Sequence, residues 1–224
     1  MRFRPTLIVL AAGRGSRFLA EHHKLDQPLG GTTVLGATVR HAVQTQLPVV
    51  VVTVAARAEA LSRQLATRDI VVVSDEDAAR GMGASIATGV AERSGAPGWL
   101  VLPGDMPLVR PDSILAVATA LEQHAVACAQ YRGRRGHPVG FAAELYTELV
   151  LLNGDDGARR VVARYPAHAQ EVDDPGVLMD IDTLDDLQRA RALYAQRLET
   201  PSQAPARPAA APVPASAPSS AKAI

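Results

Sequence analysis

Three short stretches hold residues whose types and spacing suit work on an anionic ligand: LAAGRGSRF at 10–18, RGMGASIATGV at 80–90 and LVLPGDMPLV at 100–109. In the first, the apolar run TLIVL ends through Leu10, Ala11 and Ala12 into Gly13 and Gly15. Glycine tolerates positive φ, and a turn of successive amides forms an anion-binding nest. Arg14, Arg17 and the downstream Lys24 would add the positive charge that a triphosphate requires. The same residues also suit an ordinary strand-to-helix turn with solvated arginines. The stretch lacks the Gly-Lys-Ser/Thr ending of a Walker loop. It is not a full dinucleotide fingerprint either, because Phe18 stands at the last glycine position.

Asp105, between Gly104 and Met106, follows directly on an apolar run. Mg²⁺ is held by one or two carboxylates together with phosphate oxygens and water, a role that Asp105 could take; an aspartate closing a turn is the plain alternative. Gly81, Gly83, Ala84 and Ser85 open a helical stretch whose free amides and small side chains leave room for a base or ribose. Tight helix packing or capping by Ser85 explains them equally well. Later come RRGHPVGF with His137, NGDDGARR with Asp155 and Arg159, and LMDIDTLDDLQRARALY. His137 before a proline reads as a packed loop histidine. Asp180 and Asp182 occupy alternate positions of an extended segment, so they face one way, and one of them can join Asp105 at a metal. Asp182 or Thr183 can also cap the last helix.

Four β-branched runs must position these turns: TLIVL, PVVVVTV, DIVVVS and GWLVLPGD. Each is nearly continuously apolar, as strands covered on both faces are. Between them, Val34, Leu35, Thr38, Val39 and Ala42 share one side of a helix, and Ala58, Leu61 and Leu65 share another. RPDSILAVATALEQH begins a helix at Pro111 and Asp112. This alternation predicts an α/β fold, a doubly wound and mostly parallel sheet with helices on both faces. Ligands in such folds lie beyond the carboxyl ends of the strands, where AAGRGSR and PGDMP both fall.

The chain has 224 residues, 47% apolar and 21% charged, with zero formal net charge. That length supports one sizeable core, and the balance gives no general attraction to nucleic acid or an anionic membrane. Residues 1–199 read as one domain. Residues 200–224, rich in Pro, Ala and Ser, read as a disordered tail, because they hold too little apolar surface to offset their conformational entropy. The tail carries Arg207 and Lys222 and no acid, which leaves the body at about −2. The lone Cys128 reads as a buried structural thiol. The N-terminal apolar run is too short for a signal peptide, and no run reaches bilayer-spanning length, so a cytoplasmic location is expected.

Together, LAAGRGSRF with Lys24, GMGASIATGV, PGDMP, GHPVGF, GDDGAR and DIDTLDDL resemble the molybdenum cofactor cytidylyltransferase group of the NTP transferases, over residues 7 to about 193. The resemblance implies a Rossmann-like nucleotidyltransferase fold and a defined set of roles. Leu10, Ala11, Ala12, Gly13, Arg14, Gly15 and Arg17 would wrap the triphosphate, and Lys24 would neutralise the α-phosphate. Gly81, Met82, Gly83 and Ser85 would hold base and sugar. Asp105 and Asp182 would hold Mg²⁺, while His137, Asp155 and Arg159 would lie towards the pterin. Two departures are visible: Phe18 and Leu19 replace the glycine after the signature arginine, and Lys24 lies about two residues further along than is usual. The implied reaction is CTP with molybdopterin-Mo giving the cytosine dinucleotide cofactor and pyrophosphate. A molybdenum hydroxylase or its maturation chaperone is the implied recipient. Another phosphorylated acceptor, GTP as donor, or a non-catalytic nucleotide- or cofactor-binding protein are the alternatives.

Overall fold

The computed structural model describes residues 3–13, 15, 18 and 23–199, with side chains through residue 197. Arg14, Arg17, Leu19 and the tail 200–224 lie outside the described residues. Nine strands occur among those described: β1 (Thr6–Ala11), β2 (Pro28–Leu29), β3 (Thr32–Thr33), β4 (Val49–Val54), β5 (Ile70–Val73), β6 (Gly98–Pro103), β7 (Val126–Tyr131), β8 (Arg134–Ala142) and β9 (Ala167–Glu171). The helices are α1 (Val34–Gln44), α2 (Ala55–Leu61), α3 (Asp75–Ala79), α4 (Met82–Glu92), α5 (Pro111–Ala120), α6 (Tyr146–Val150), α7 (Arg159–Arg164) and α8 (Leu184–Glu199).

Seven strands form one sheet in the order β5-β4-β1-β6-β8-β7-β9. The pairs β5–β4, β4–β1, β1–β6 and β7–β9 are parallel, and only β8 runs against its neighbours. The four apolar runs become β1, β4, β5 and β6, as their composition predicts. Successive strand residues feed two different cores. Leu7, Val9, Val51, Leu100 and Leu102 pack with α1, α5 and α8 on one face. Ile8, Val50, Val52, Trp99 and Val101 pack with α4, α6 and α7 on the other. Covering of both faces is why β1, β4 and β6 read as unbroken apolar runs rather than alternating ones; β5, the edge strand, is apolar without that cover, with Val72 50% exposed.

Local signals are met with two adjustments. Pro111 takes the first position of α5, but its cap is remote: the buried Asp174 carboxylate accepts from the Arg110 amide at 2.8 Å and from the Ser113 hydroxyl at 2.9 Å. Helix α2 stops at Leu61, and Leu65 packs from the turn beyond it. The larger correction concerns RRGHPVGF, which is strand β8 and not a loop, so His137 sits in the sheet. Arg132 and Gly133, at φ 48° and 77°, turn β7 back into β8 in a tight hairpin. Charged residues and a proline concealed this strand from a reading based on apolar runs. Cys128 is buried in β7, and burial pushes its thiol pKa up. Among the described residues no helix is long and apolar enough to cross a membrane.

Candidate active site

The carboxyl ends of β1 and β6 meet where the Gly104 amide donates to the Leu10 carbonyl at 2.8 Å. A Cβ at Gly104 would stand 2.8 Å from that oxygen, so this approach needs glycine. The chain then turns and presents Asp105. The Ile181 amide donates to the Asp105 carbonyl at 3.1 Å, which lays the 179–182 segment beside it. Gly136 and Gly176 permit this closeness, since a Cβ on either would fall 2.1 Å from the Val177 or Leu108 carbonyl oxygen. Above these elements opens a cleft of about 910 Å³.

Lys24 rises into the cleft from a single 3-10 turn, Lys24–Asp26, that is held from two sides. The His23 ring lies 2.9 Å from the Gly13 carbonyl through Nε2 and 3.1 Å from the Leu25 amide through Nδ1. A carbonyl only accepts and an amide only donates, so the proton sits on Nε2 and the ring is neutral. Burial and the nearby Arg57 lower its pKa accordingly. Below, the buried Arg57 pairs with Asp26 at 3.1 Å. Phe18 is also buried, packing in the same core as Leu25 and Leu29. The departure from glycine at this position therefore adds a core anchor to the loop.

So held, Lys24 Nζ lies 2.6 Å from Asp105 Oδ2 and 2.6 Å from Asp182 Oδ1. The extra residues before Lys24 do not keep it from the carboxylates. Burial disfavours the ammonium, but Asp105 and then Asp182 outweigh it and raise the lysine pKa above its ordinary value. Burial likewise pushes the Asp105 carboxyl up, with Lys24 opposing it. Thr183 and Asp186 cap α8 reciprocally, at 3.1 Å and 2.9 Å.

The wall opposite comes from two stretches about seventy residues apart in sequence. The Gly83 amide donates to the Gly154 carbonyl at 2.8 Å, and the Gly154 amide to the Arg80 carbonyl at 2.9 Å. Gly81, at φ 95°, precedes α4 without a side-chain cap, and a Cβ there would meet Gly154 at 2.4 Å. These glycines serve close packing between RGMGAS and NGDDG, and Ser85 lies in the first turn of α4 rather than capping it. Met82, Ser85, Asp155 and Arg159 line the cleft along this wall.

His137 lies on the floor, with Nδ1 buried and without a hydrogen-bond partner among the described residues. Burial lowers its pKa against the pull of Asp105, so it is a neutral imidazole.

Of the described residues singled out in the sequence, Leu10, Ala12, Gly13, Gly15, Lys24, Gly81, Met82, Ser85, Asp105, His137, Asp155, Arg159 and Asp182 line this one cleft. Asp180 does too. Ala11 is instead buried in the first core, and Gly83 backs onto Asn153. The sequence reading passed over His23, whose only signal was its place beside Lys24, and over Arg134, Arg135 and Asp156, which also line the cleft. Among the described residues, no three His, Cys, Asp or Glu side chains converge to hold an ion unaided. Asp105 and Asp182 nonetheless offer the hard oxygens that Mg²⁺ or Mn²⁺ takes, and Asp105 Oδ1 is buried with no hydrogen-bond partner among the described residues. The pair therefore fits a divalent ion whose remaining ligands are phosphate oxygens and water.

Residues 7–171 match the family model of the MobA-like NTP transferase domain. Among solved structures, Rv0371c of Mycobacterium tuberculosis H37Rv, in complex with manganese, is 31% identical with a TM-score of 0.72. That match covers 86% of this chain and 100% of the other. A nucleotidyl transferase of Methanothermobacter, Mth528, is 27% identical with a TM-score of 0.72, covering 86% and 98%. The purine catabolism protein PucB of Bacillus subtilis is 33% identical over 121 residues, 52% of this chain and 58% of PucB. The bifunctional protein GlmU of Geobacter sulfurreducens is 29% identical over 151 residues, 67% of this chain and 30% of GlmU. The chain thus spans less than two thirds of these two relatives' lengths.

Proposed function

Because this chain belongs to the MobA-like NTP transferase domain family, we propose that it transfers a nucleotidyl group from an NTP to a phosphorylated acceptor, with CTP as donor and molybdopterin-Mo as acceptor. One observation carries the transfer chemistry: Lys24 meets Asp105 and Asp182, each at 2.6 Å, in a cleft also lined by Gly13, Gly15, Gly81 and Ser85. CTP and the pterin acceptor are favoured by the shared motif set, whose described pieces border that same cleft.

An oxygen of the acceptor phosphate forms a bond to the α-phosphorus while the bond from that phosphorus to the bridging α–β oxygen breaks, and pyrophosphate leaves with the electron pair. A phosphate anion is already a nucleophile, so no serine, cysteine or strong base is required, which suits a cleft whose histidines are neutral. The need is alignment and positive charge against the developing negative charge. Lys24 supplies that charge, and the amides at Gly13 and Gly15 hold phosphate oxygens. Asp105 and Asp182 would hold Mg²⁺, which supplies Lewis-acid neutralisation of the phosphates. Arg14 and Arg17, outside the described residues, are proposed to add charge on the triphosphate. Arg159, Asp155 and His137 are proposed to face the acceptor.

The test is pyrophosphate release from the purified protein with Mg²⁺ and molybdopterin-Mo, offering CTP, GTP, ATP and UTP separately. Release with CTP is expected. Release with GTP alone would change the donor, and silence with all four would overturn the acceptor.

A further inference from the structure

We propose that Lys24 is a built-in stand-in for the divalent ion: its ammonium neutralises Asp105 and Asp182 in the nucleotide-free protein, and an ion that bridges the two carboxylates must displace it. The proposal rests on the reading of these two aspartates as the metal-binding pair. It identifies how that site is kept in order before substrate arrives.

The geometry is the starting point. Nζ lies 2.6 Å from one oxygen of each carboxylate, at the position between them. A magnesium ion bound to the same oxygens would stand about 2.0–2.1 Å from each, within the space the ammonium fills. The side chains of Lys24 and Asp105 are only 14% and 15% exposed, so bulk water does little to screen two cations from each other there. The lysine is also not free to swing as a whole. His23 and the Asp26–Arg57 pair fix the short turn that carries it. Displacement is therefore a movement of the side chain alone, from the carboxylates into the cleft, where the triphosphate would lie. Metal binding and delivery of Lys24 to the phosphates become one event.

Two side-chain facts make this more than an ordinary ion pair. Among the described residues Asp105 Oδ1 has no hydrogen-bond partner and stays buried even with Lys24 in place, so the lysine leaves that oxygen unsatisfied. In addition, Lys24 and Lys222 are the only lysines of the chain, whose other cationic side chains are arginines. A compact ammonium on a flexible stem can occupy and vacate an ion-sized position in a way that a planar guanidinium cannot.

The experiment compares Mn²⁺ binding to the nucleotide-free full chain, read as free Mn²⁺ by electron paramagnetic resonance. Wild type is set against Lys24→Met, Lys24→Arg and Asp105→Asn. Removing the ammonium is expected to tighten Mn²⁺ about tenfold or more, Lys24→Arg, which keeps the charge but cannot vacate the position as readily, not to tighten it, and Asp105→Asn to abolish binding. Unchanged or weaker binding in Lys24→Met overturns the proposal, because the ion would then not compete with the lysine. A second measurement needs no variant. With lysine labelled at Cε, the full chain gives two lysine side-chain signals, and saturating Mg²⁺ without nucleotide is expected to move that of Lys24. A signal that stays in place overturns displacement. Pyrophosphate release is assayed on the same wild-type protein, so failure of the transferase reading and failure of this proposal appear in different columns of data.

Discussion

His23 and Gly13 close the glycine-rich turn on itself: the Nε2 proton of His23 points at the Gly13 carbonyl over 2.9 Å, while Nδ1 accepts from the Leu25 amide over 3.1 Å. One neutral ring thereby ties Gly13 to the segment carrying Lys24. Replacing His23 with Ala removes both bonds. A net contribution of about 1 kcal/mol for each of the two hydrogen bonds corresponds to a rise in nucleotide KM of up to about thirtyfold. The measurement is KM from pyrophosphate release, and an unaltered KM would rule out a positioning role for the ring.

Under the proposed function, turnover is expected to depend on the charge cluster. Lys24→Ala and Asp105→Asn are each expected to lower kcat by about 10²–10³ while the circular dichroism spectrum stays that of wild type. Wild-type rates in both variants would remove the cluster from the chemistry.

Asp174 tests stability apart from catalysis. Its carboxylate is 1% exposed and joins Arg110, Ser113, the Gly176 amide and Arg197, tying α5 and α8 to the 174–178 turn. Breaking such a buried cluster on one side costs about 3–5 kcal/mol. Asp174→Ala should therefore shift the urea midpoint strongly with little change in the nucleotide KM of the folded fraction. A midpoint within error of wild type would contradict this.

Gly83 and Gly13 make a matched pair. A Cβ at Gly83 would fall 2.8 Å from the Asn153 backbone nitrogen, whereas one at Gly13 meets nothing within 4 Å. Gly83→Ala is expected to destabilise by about 1–3 kcal/mol, as overpacking against backbone does. Gly13→Ala should leave the melting temperature alone. Equal effects of the two would mean that the seam between RGMGAS and NGDDG gives way without cost.

Acid should weaken the fold. Burial lowers the pKa of His23, His41 and His137, so all three resist protonation when folded. The unfolded chain binds those protons near its ordinary value of about 6.5. Stability is thus fully present above that pH and declines as pH falls from it towards the lowered native values. Urea midpoints at pH 7.5 and 5.5 check the sign, with the lower midpoint expected at pH 5.5.

How much of this was legible in the sequence depends on the range of the forces involved. Strands β1, β4 and β6 were readable because full burial of both sheet faces demands unbroken apolar runs, and Val49–Val54 or Gly98–Pro103 carry that demand in their own composition; β5 was readable from its β-branched run alone, although it lies at the edge. The turns at Gly13 and Asp105 were readable too, since a strand end followed by glycine or an acid is a local pattern, and the small residues from Gly81 marked the start of a helix. Strand β8 was not, because Arg134, Arg135 and Pro138 mask it and its place between β6 and β7 is decided by partners far away in the chain. The site's central fact was equally out of reach. Sequence alone determined that a lysine and several aspartates were available at the sheet's ligand edge. Only the tertiary structure decided that Lys24 meets Asp105 and Asp182, 81 and 158 positions along, at 2.6 Å each. Local propensity acts over a few residues, whereas that meeting is set by the Ile181–Asp105 backbone bond and the glycine contacts at 136 and 176, which exist only once the chain has packed.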